Sequence, residues 1–170
     1  MGTRVLVTYA TRGESTASVA IAIGRILAAD GIRVDVLPVG VIKSVEIYSA
    51  VIVGSGVRNG VWLPEATDFV EEHAPAMQQK PLAVFTVCMM AVDDSLENQP
   101  EIESYTEPLL SVVKPFSVGC FAGRLDLSER NLLKRARVTI KGLPRGDHRD
   151  WPSIHQWTLG LETVIAPVAI

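Results

Sequence analysis

Three short segments carry residues whose types and spacing suit the binding of a planar, phosphate-bearing ligand. The first is Thr11-Arg12-Gly13-Glu14-Ser15-Thr16, set between an apolar run and a helical pattern. Hydroxyls and backbone N–H groups at a helix N-terminus make a good phosphate site. The segment lacks the GxxxxGK[ST] spacing of a P-loop, and a Ser/Thr-rich capping loop is the plain alternative. The second, residues 54–64, reads Gly54-Ser55-Gly56-Val57-Arg58-Asn59-Gly60-Val61-Trp62-Leu63-Pro64. Its glycines would let a backbone approach a flat ring closely. Its GxGxxxG spacing, placed after a third strand, argues against a dinucleotide fingerprint, which belongs on the first βα turn. Trp62 would either stack on such a ring or pack in the core. The third, Thr86-Val87-Cys88-Met89-Met90-Ala91, is an apolar loop whose N–H groups would read the polar edge of a ring, or else a buried connector.

These segments need elements to position them. Apolar, β-branched runs at 4–9, 34–37, 50–54, 82–87 and 116–121 read as strands buried on both faces of a parallel sheet. Helical patterns lie between them. Val19, Ile23, Ile26 and Leu27 share one face of a helix ending at Gly31, a left-handed cap. A poorer helical segment covers 44–48, and others run over 64–73, with proline in the first turn, and 100–113. Asp150 is an N-cap for a last helix through Trp151, Ile154, Trp157 and Leu161. Five strands alternating with helices imply a doubly wound α/β sheet in a single domain over 1–170. Ligands of such sheets sit at the carboxyl ends of the strands, where all three segments fall.

Composition narrows the classes further. The chain has 170 residues, 48% hydrophobic, with a net charge of −3, which suits a packed core and does not suggest a nucleic-acid binder, which would usually be basic. Two cysteines, Cys88 and Cys120, form no CxxC pair and read as buried thiols. Three scattered histidines make no metal-ligand spacing, so no metal site is expected. The start, Met1-Gly2-Thr3-Arg4, runs straight into a strand without a signal-peptide pattern, so a cytoplasmic location is expected. One stretch breaks the pattern. Residues 123–149 separate the fifth strand from the last helix by far more than a usual connection. Between Arg124 and Arg149 lie eight basic and three acidic residues, a net +5 on a body carrying −8, interleaved with leucines. This is a basic, amphipathic insertion on an acidic body.

The chain resembles the flavodoxin superfamily, and within it the flavodoxin-domain family of menaquinone-dependent protoporphyrinogen IX dehydrogenases. The likeness runs over nearly the whole chain, in YATRGESTASVA at 9–20, GSGVRNGVWLPEA at 54–66, TVCMMA at 86–91, FAGRLDLSERN at 121–131 and GDHRDWPSI at 146–154. The last two flank the insertion that splits the fifth-strand region in long-chain members. The resemblance implies a flavodoxin-like sheet in the order 2-1-3-4-5, with an insertion after or within the fifth-strand region, and FMN as cofactor. Thr11, Arg12, Gly13, Glu14, Ser15 and Thr16 would hold the FMN phosphate. Ser55, Gly56, Val57, Arg58, Asn59 and Gly60 would face one side of the isoalloxazine, and Thr86, Val87, Cys88, Met89 and Met90 would approach its pyrimidine edge. The family usually has glycine where this chain has Glu14. A carboxylate beside a phosphate is repulsive, and a non-glycine there resists positive φ. A shift of the turn onto Gly13 would relieve the strain. Otherwise FMN affinity is weakened, or the flavin differs, as a deazaflavin would.

The expected function is a flavoenzyme of heme biosynthesis that takes electrons from an organic substrate, protoporphyrinogen IX by resemblance, and passes them to a quinone such as menaquinone. The flavin does the redox chemistry and the protein sets its orientation and electronics. No catalytic acid–base pair is evident. Arg58 is the candidate positive charge near the ring's N1/O2 edge. The insertion at 124–149 would give peripheral contact with the inner face of a membrane. The alternative is a flavodoxin-type electron carrier without substrate chemistry of its own. A receiver-type signalling domain would need an acidic pair after the first strand and Asp at the end of the third, where the chain has Thr8, Tyr9, Gly54 and Ser55.

Overall fold

The computed structural model describes residues 2–93, 96–125 and 146–166. Its strands are β1 (Arg4–Ala10), β2 (Arg33–Pro38), β3 (Ala50–Arg58), β4 (Val61–Trp62), β5 (Leu82–Cys88), β6 (Ser117–Ala122), β7 (Arg124–Leu125) and β8 (Gly146–Asp147). The helices are α1 (Ser15–Ala29), α2 (Pro64–Met77), α3 (Gln99–Ser104), α4 (Glu107–Leu110) and α5 (Trp151–Ile165). Five strands pair in parallel in the order β2-β1-β3-β5-β6. Counting only these five, the order is the 2-1-3-4-5 implied by the resemblance.

The period of two along each strand splits the core into two layers. Val5, Val7, Ile52, Ala83 and Phe85 join Val19, Ile23 and Leu27 of α1 and Ile154 and Leu161 of α5 in one buried cluster. Leu6, Val51, Val53 and Val84 join Phe69, Val70 and Met77 of α2, with Ile102 and Leu109, in the other. Runs that look uniformly apolar are thus alternating faces of strands covered on both sides. Gly54 marks the closest approach inside the sheet: a Cβ there would sit 2.0 Å from Cζ of Phe85. Gly31, at φ 81, and Asp150, whose carboxylate accepts from the Ser153 N–H at 3.1 Å, end and begin their helices as expected.

Three expectations need correction. Residues 44–48 form no helix, and a short 3-10 turn occupies Val39–Val41 instead. The helix expected over 100–113 is two short pieces, α3 and α4, each with proline in its first turn. Pro108 fixes the start of the second, since proline suits a first turn and not a helix interior. The glycine segment after β3 is no open loop. β3 continues to Arg58 and turns back into β4 through Asn59 (φ 54) and Gly60 (φ 75). Asn-Gly with positive φ at both positions is the tight hairpin turn whose twist suits paired strands.

Among the described residues, no helix is long and apolar enough to cross a membrane. Most of the basic insertion, residues 126–145, lies outside the described residues, and only its two ends are placed.

Candidate functional site

The carboxyl ends of β1, β3, β5 and β6 bring the expected segments together. Thr16 is buried at the start of α1, and a Cβ on Gly56 would lie 3.3 Å from its hydroxyl oxygen, so the first and second segments touch. A Cβ on Gly123, just beyond β6, would lie 3.2 Å from Val87 and 3.5 Å from Ser15, which closes the ring of segments from the other side.

In the first segment, Thr11 donates its hydroxyl to the Gly13 carbonyl at 2.5 Å and accepts from the Gly13 N–H at 3.2 Å. This holds a compact turn ahead of the helix. Glu14 is the N-cap at φ −100, and its side chain makes no cap hydrogen bond. The strain expected from a non-glycine at this position is therefore absent, and among the described residues Gly13 is not one of the glycines at positive φ. Glu14 itself lies in ordinary right-handed backbone, which any residue adopts. With no side-chain cap, the first-turn amides of α1 suit an anion. Arg12 pairs with Glu65 at the start of α2. The Glu65 carboxyl is held below its ordinary value, first by its own backbone N–H and then by Arg12.

The second segment presents less to a ligand than its composition suggests. Ser55 is fully buried, accepts from the Leu63 N–H at 3.0 Å and donates to the Gly56 carbonyl at 2.8 Å. Trp62 is 3% exposed, and its indole N–H donates to the Thr86 hydroxyl at 2.8 Å. Of the two readings of Trp62, core packing is the one observed, and stacking on a ring is ruled out by its burial. Thr86 is buried too, its hydroxyl engaged by the indole. What this edge offers is the backbone at Gly56, half-buried Val57, and Arg58, Asn59 and Gly60 exposed on the hairpin. On β5, Val87 and Cys88 are buried, while Met89 and Met90 are half-buried in a 3-10 turn, Met89–Val92.

Two residues that the segment-by-segment reading passed over complete the site. The ends of the insertion pair as β7 and β8, with Arg124 opposite Asp147. Ser15 accepts from the Arg124 N–H at 2.8 Å and donates to its carbonyl at 3.2 Å. Arg149 donates to the Ser18 hydroxyl at 2.8 Å, lies 4.8 Å over the ring of Trp151, and grips Asp147 with two nitrogens at 2.7 and 2.5 Å. That grip lowers the Asp147 carboxyl to about 2. Arg149 is stabilised as a cation chiefly by Asp147, with a further contribution from Glu14. The carboxylate expected to repel a phosphate therefore has a guanidinium near it. In the sequence, Arg149 stood out only as one of the insertion's basic residues and as part of the 146–154 motif. Its place beside α1 depends on both ends of the insertion returning to the same edge.

An uncapped helix N-terminus, nearby guanidiniums, and a hairpin and a 3-10 turn flanking the sheet edge fit a ligand with a phosphate at one end and a flat ring at the other. Residues 11–16 with the α1 amides would hold the phosphate, and residues 56–60 and 87–90 would border the ring. Among the described residues, no group of three or more His, Cys, Asp or Glu could hold a metal ion.

Solved structures share the fold at low identity. A short-chain flavodoxin associated with a non-canonical PDU bacterial microcompartment is 10% identical, with a TM-score of 0.61 over 98% of this chain and 100% of that one. Oxidised flavodoxin 2 from Bacillus cereus is 18% identical, with a TM-score of 0.57 over 92% and 95%. A Fusobacterium nucleatum flavodoxin bound to flavin mononucleotide is 14% identical, with a TM-score of 0.57 over 96% and 98%. No curated protein matches the chain. The model of a family described as a flavodoxin domain matches residues 6–148. The chain therefore belongs to the flavodoxin-domain family.

Proposed function

We propose that the chain is an FMN-dependent oxidoreductase that takes electrons from an organic substrate and delivers them to a quinone, with protoporphyrinogen IX and menaquinone as the pair suggested by resemblance. The observation that carries this reading is the placement of the insertion's two ends. Both return to the carboxyl edge of the sheet, tied to α1 through Ser15 and Ser18. A basic, leucine-bearing segment thus begins and ends beside the flavin site. A quinone resides in a bilayer, and each Lys or Arg near an anionic surface contributes about 1 kcal/mol to binding it.

FMN supplies the electron-accepting ring. The α1 amides and residues 11–16 fix its phosphate end. The Asn59-Gly60 hairpin, rigid because its turn and ladder fit each other, borders one side of the ring. Arg58, exposed on that hairpin, is the charge suited to stabilise electron density gathered on the ring. The second reading is an electron carrier of the flavodoxin type, which shares the fold and would need no insertion at this edge.

The test replaces residues 126–145 by a short Gly/Ser linker, which preserves the Ser15–Arg124 and Ser18–Arg149 contacts. The shortened protein is expected to keep its flavin spectrum and lose turnover with menaquinone analogues in anionic liposomes. Retained turnover would remove the insertion from the reaction. Loss of flavin with unfolding would make the insertion structural and leave the membrane reading without support.

A further inference from the structure

We propose that Cys88 and Cys120 form a reversible redox pair, which a hydroperoxide closes into an intramolecular disulfide at the end of β5. The chain has only these two cysteines, and the fold sets them on neighbouring strands, β5 and β6, with sulfurs 3.7 Å apart. Cys120 faces Thr86 across the ladder and Cys88 faces Ala122, so the two lie diagonally. Both border the core layer containing Trp62 and Tyr105.

The surroundings add direction. Cys88 is held below the ordinary thiol value, first by the Cys120 S–H, against the effect of burial, and then by the backbone N–H groups of Ala91 and Met90. The Ala91 and Met90 N–H groups beside Cys88 favour a thiolate there, and a thiolate is the form that reacts with peroxides. Cys120 is only partly buried, which gives a small oxidant a way to the pair.

The chemistry balances in two steps. The Cys88 thiolate attacks one peroxide oxygen, and the O–O bond breaks. Sulfur loses two electrons and becomes a sulfenic acid, and the other oxygen leaves as water or an alcohol after taking a proton. The Cys120 sulfur then attacks the Cys88 sulfur. The S–S bond forms, the S–O bond breaks, and water leaves with the Cys120 proton. Two thiols and one hydroperoxide become one disulfide, one water and one further water or alcohol.

Closure requires movement. Strand spacing and rise put the Cα atoms of a diagonal pair about 8 Å apart, beyond the usual disulfide span of roughly 4.4–6.8 Å. The end of β5 or of β6 must give, and a bond made under such strain is more easily reduced, which makes the pair reversible. Cys88 leads directly into the Met89–Val92 turn, so closure shifts that turn. The coupling to flavin rests on the FMN reading of the site, and the disulfide itself does not.

The test uses the full chain, reduced, freed of flavin, and treated with hydrogen peroxide near stoichiometry. Remaining thiols are alkylated under denaturing conditions, and the intact mass is read. The expected product is a monomer lighter by two hydrogens that takes up no alkylating groups and reverts with dithiothreitol. In the same treatment Cys120→Ser is expected to accumulate sulfinic acid on Cys88, because no resolving thiol remains. Two thiols still alkylated after peroxide, separate oxidation of each cysteine, or a disulfide only between chains would overturn the proposal. These mass readouts on the parent chain stand whether or not a variant folds. Flavin titration of the oxidised and reduced chains then reads the coupling, with a several-fold change in affinity expected. Equal affinities would overturn the coupling alone, and failure of both forms to bind FMN would instead sink the cofactor reading.

Discussion

Replacing Trp62 by Phe separates a structural tryptophan from a ligand-stacking one. The indole N–H donates to the Thr86 hydroxyl at 2.8 Å, with Trp62 3% and Thr86 1% exposed. Phenylalanine cannot donate, so the Thr86 hydroxyl loses its partner away from water, at a cost of about 1–3 kcal/mol. The smaller ring forfeits roughly 1 kcal/mol more of apolar burial. The sum is about 2–4 kcal/mol, or a fall in Tm of roughly 5–12 °C for a chain of this size. Flavin affinity is expected to change by less than about twofold, that is by less than about 0.4 kcal/mol. Thr86→Val in the Trp62→Phe background removes the orphaned hydroxyl. The double variant should be less damaged than the sum of the singles by about 1–2 kcal/mol, the coupling expected of partners in direct contact. Denaturant unfolding of the four proteins gives the coupling, and FMN titration of each gives the affinity. Unchanged stability together with a large loss of flavin affinity in Trp62→Phe would refute the burial argument.

Other perturbations probe the phosphate end and the opposite edge of the sheet. Glu14→Gly is expected to tighten FMN by about 0.5–1 kcal/mol, because it removes an exposed, solvent-screened carboxylate beside the phosphate without relieving any backbone strain. Unchanged or weaker binding in equilibrium dialysis would show that the turn is built around the glutamate. Glu162, near Asp30, has its carboxyl pushed above the ordinary value first by burial and then by Asp30, and one of its oxygens is buried without a partner. A raised carboxyl contributes stability that is fully present below the unfolded value near about 4.3 and is lost as pH rises through the folded value. Glu162→Gln is therefore expected to raise Tm relative to the parent at pH 7 and to match it near pH 4. An equal shift at both pH values in thermal melts would contradict this.

Much of the fold was legible because parallel strands covered on both faces leave apolar runs that read directly from the chain. The Gly31 and Asp150 helix ends were legible because caps are local chemistry. The hairpin after β3 was also present in the sequence as Asn59-Gly60, a short-range turn signal that the glycine pattern around it obscured. The break between α3 and α4 turned on proline at the start of the second piece, against an apolar pattern that spans both.

The site divides the same way. Residue types alone located the three segments and the basic character of the insertion, because a strand followed by a helix puts its connecting loop at one sheet edge whatever the details. Only the tertiary structure decided which side chains face that edge. Ser55, Trp62 and Thr86 are polar or aromatic and sit in the right segments, yet they turn inward, where Trp62 pairs with Thr86 and Ser55 with the Leu63 and Gly56 backbone. Arg149 is distant from Ser18 in sequence, yet it reaches it because both ends of the insertion return to α1. Segment identity is a local property of the chain, whereas the direction of a side chain and the pairing of distant residues follow from strand register and packing, which no single segment contains.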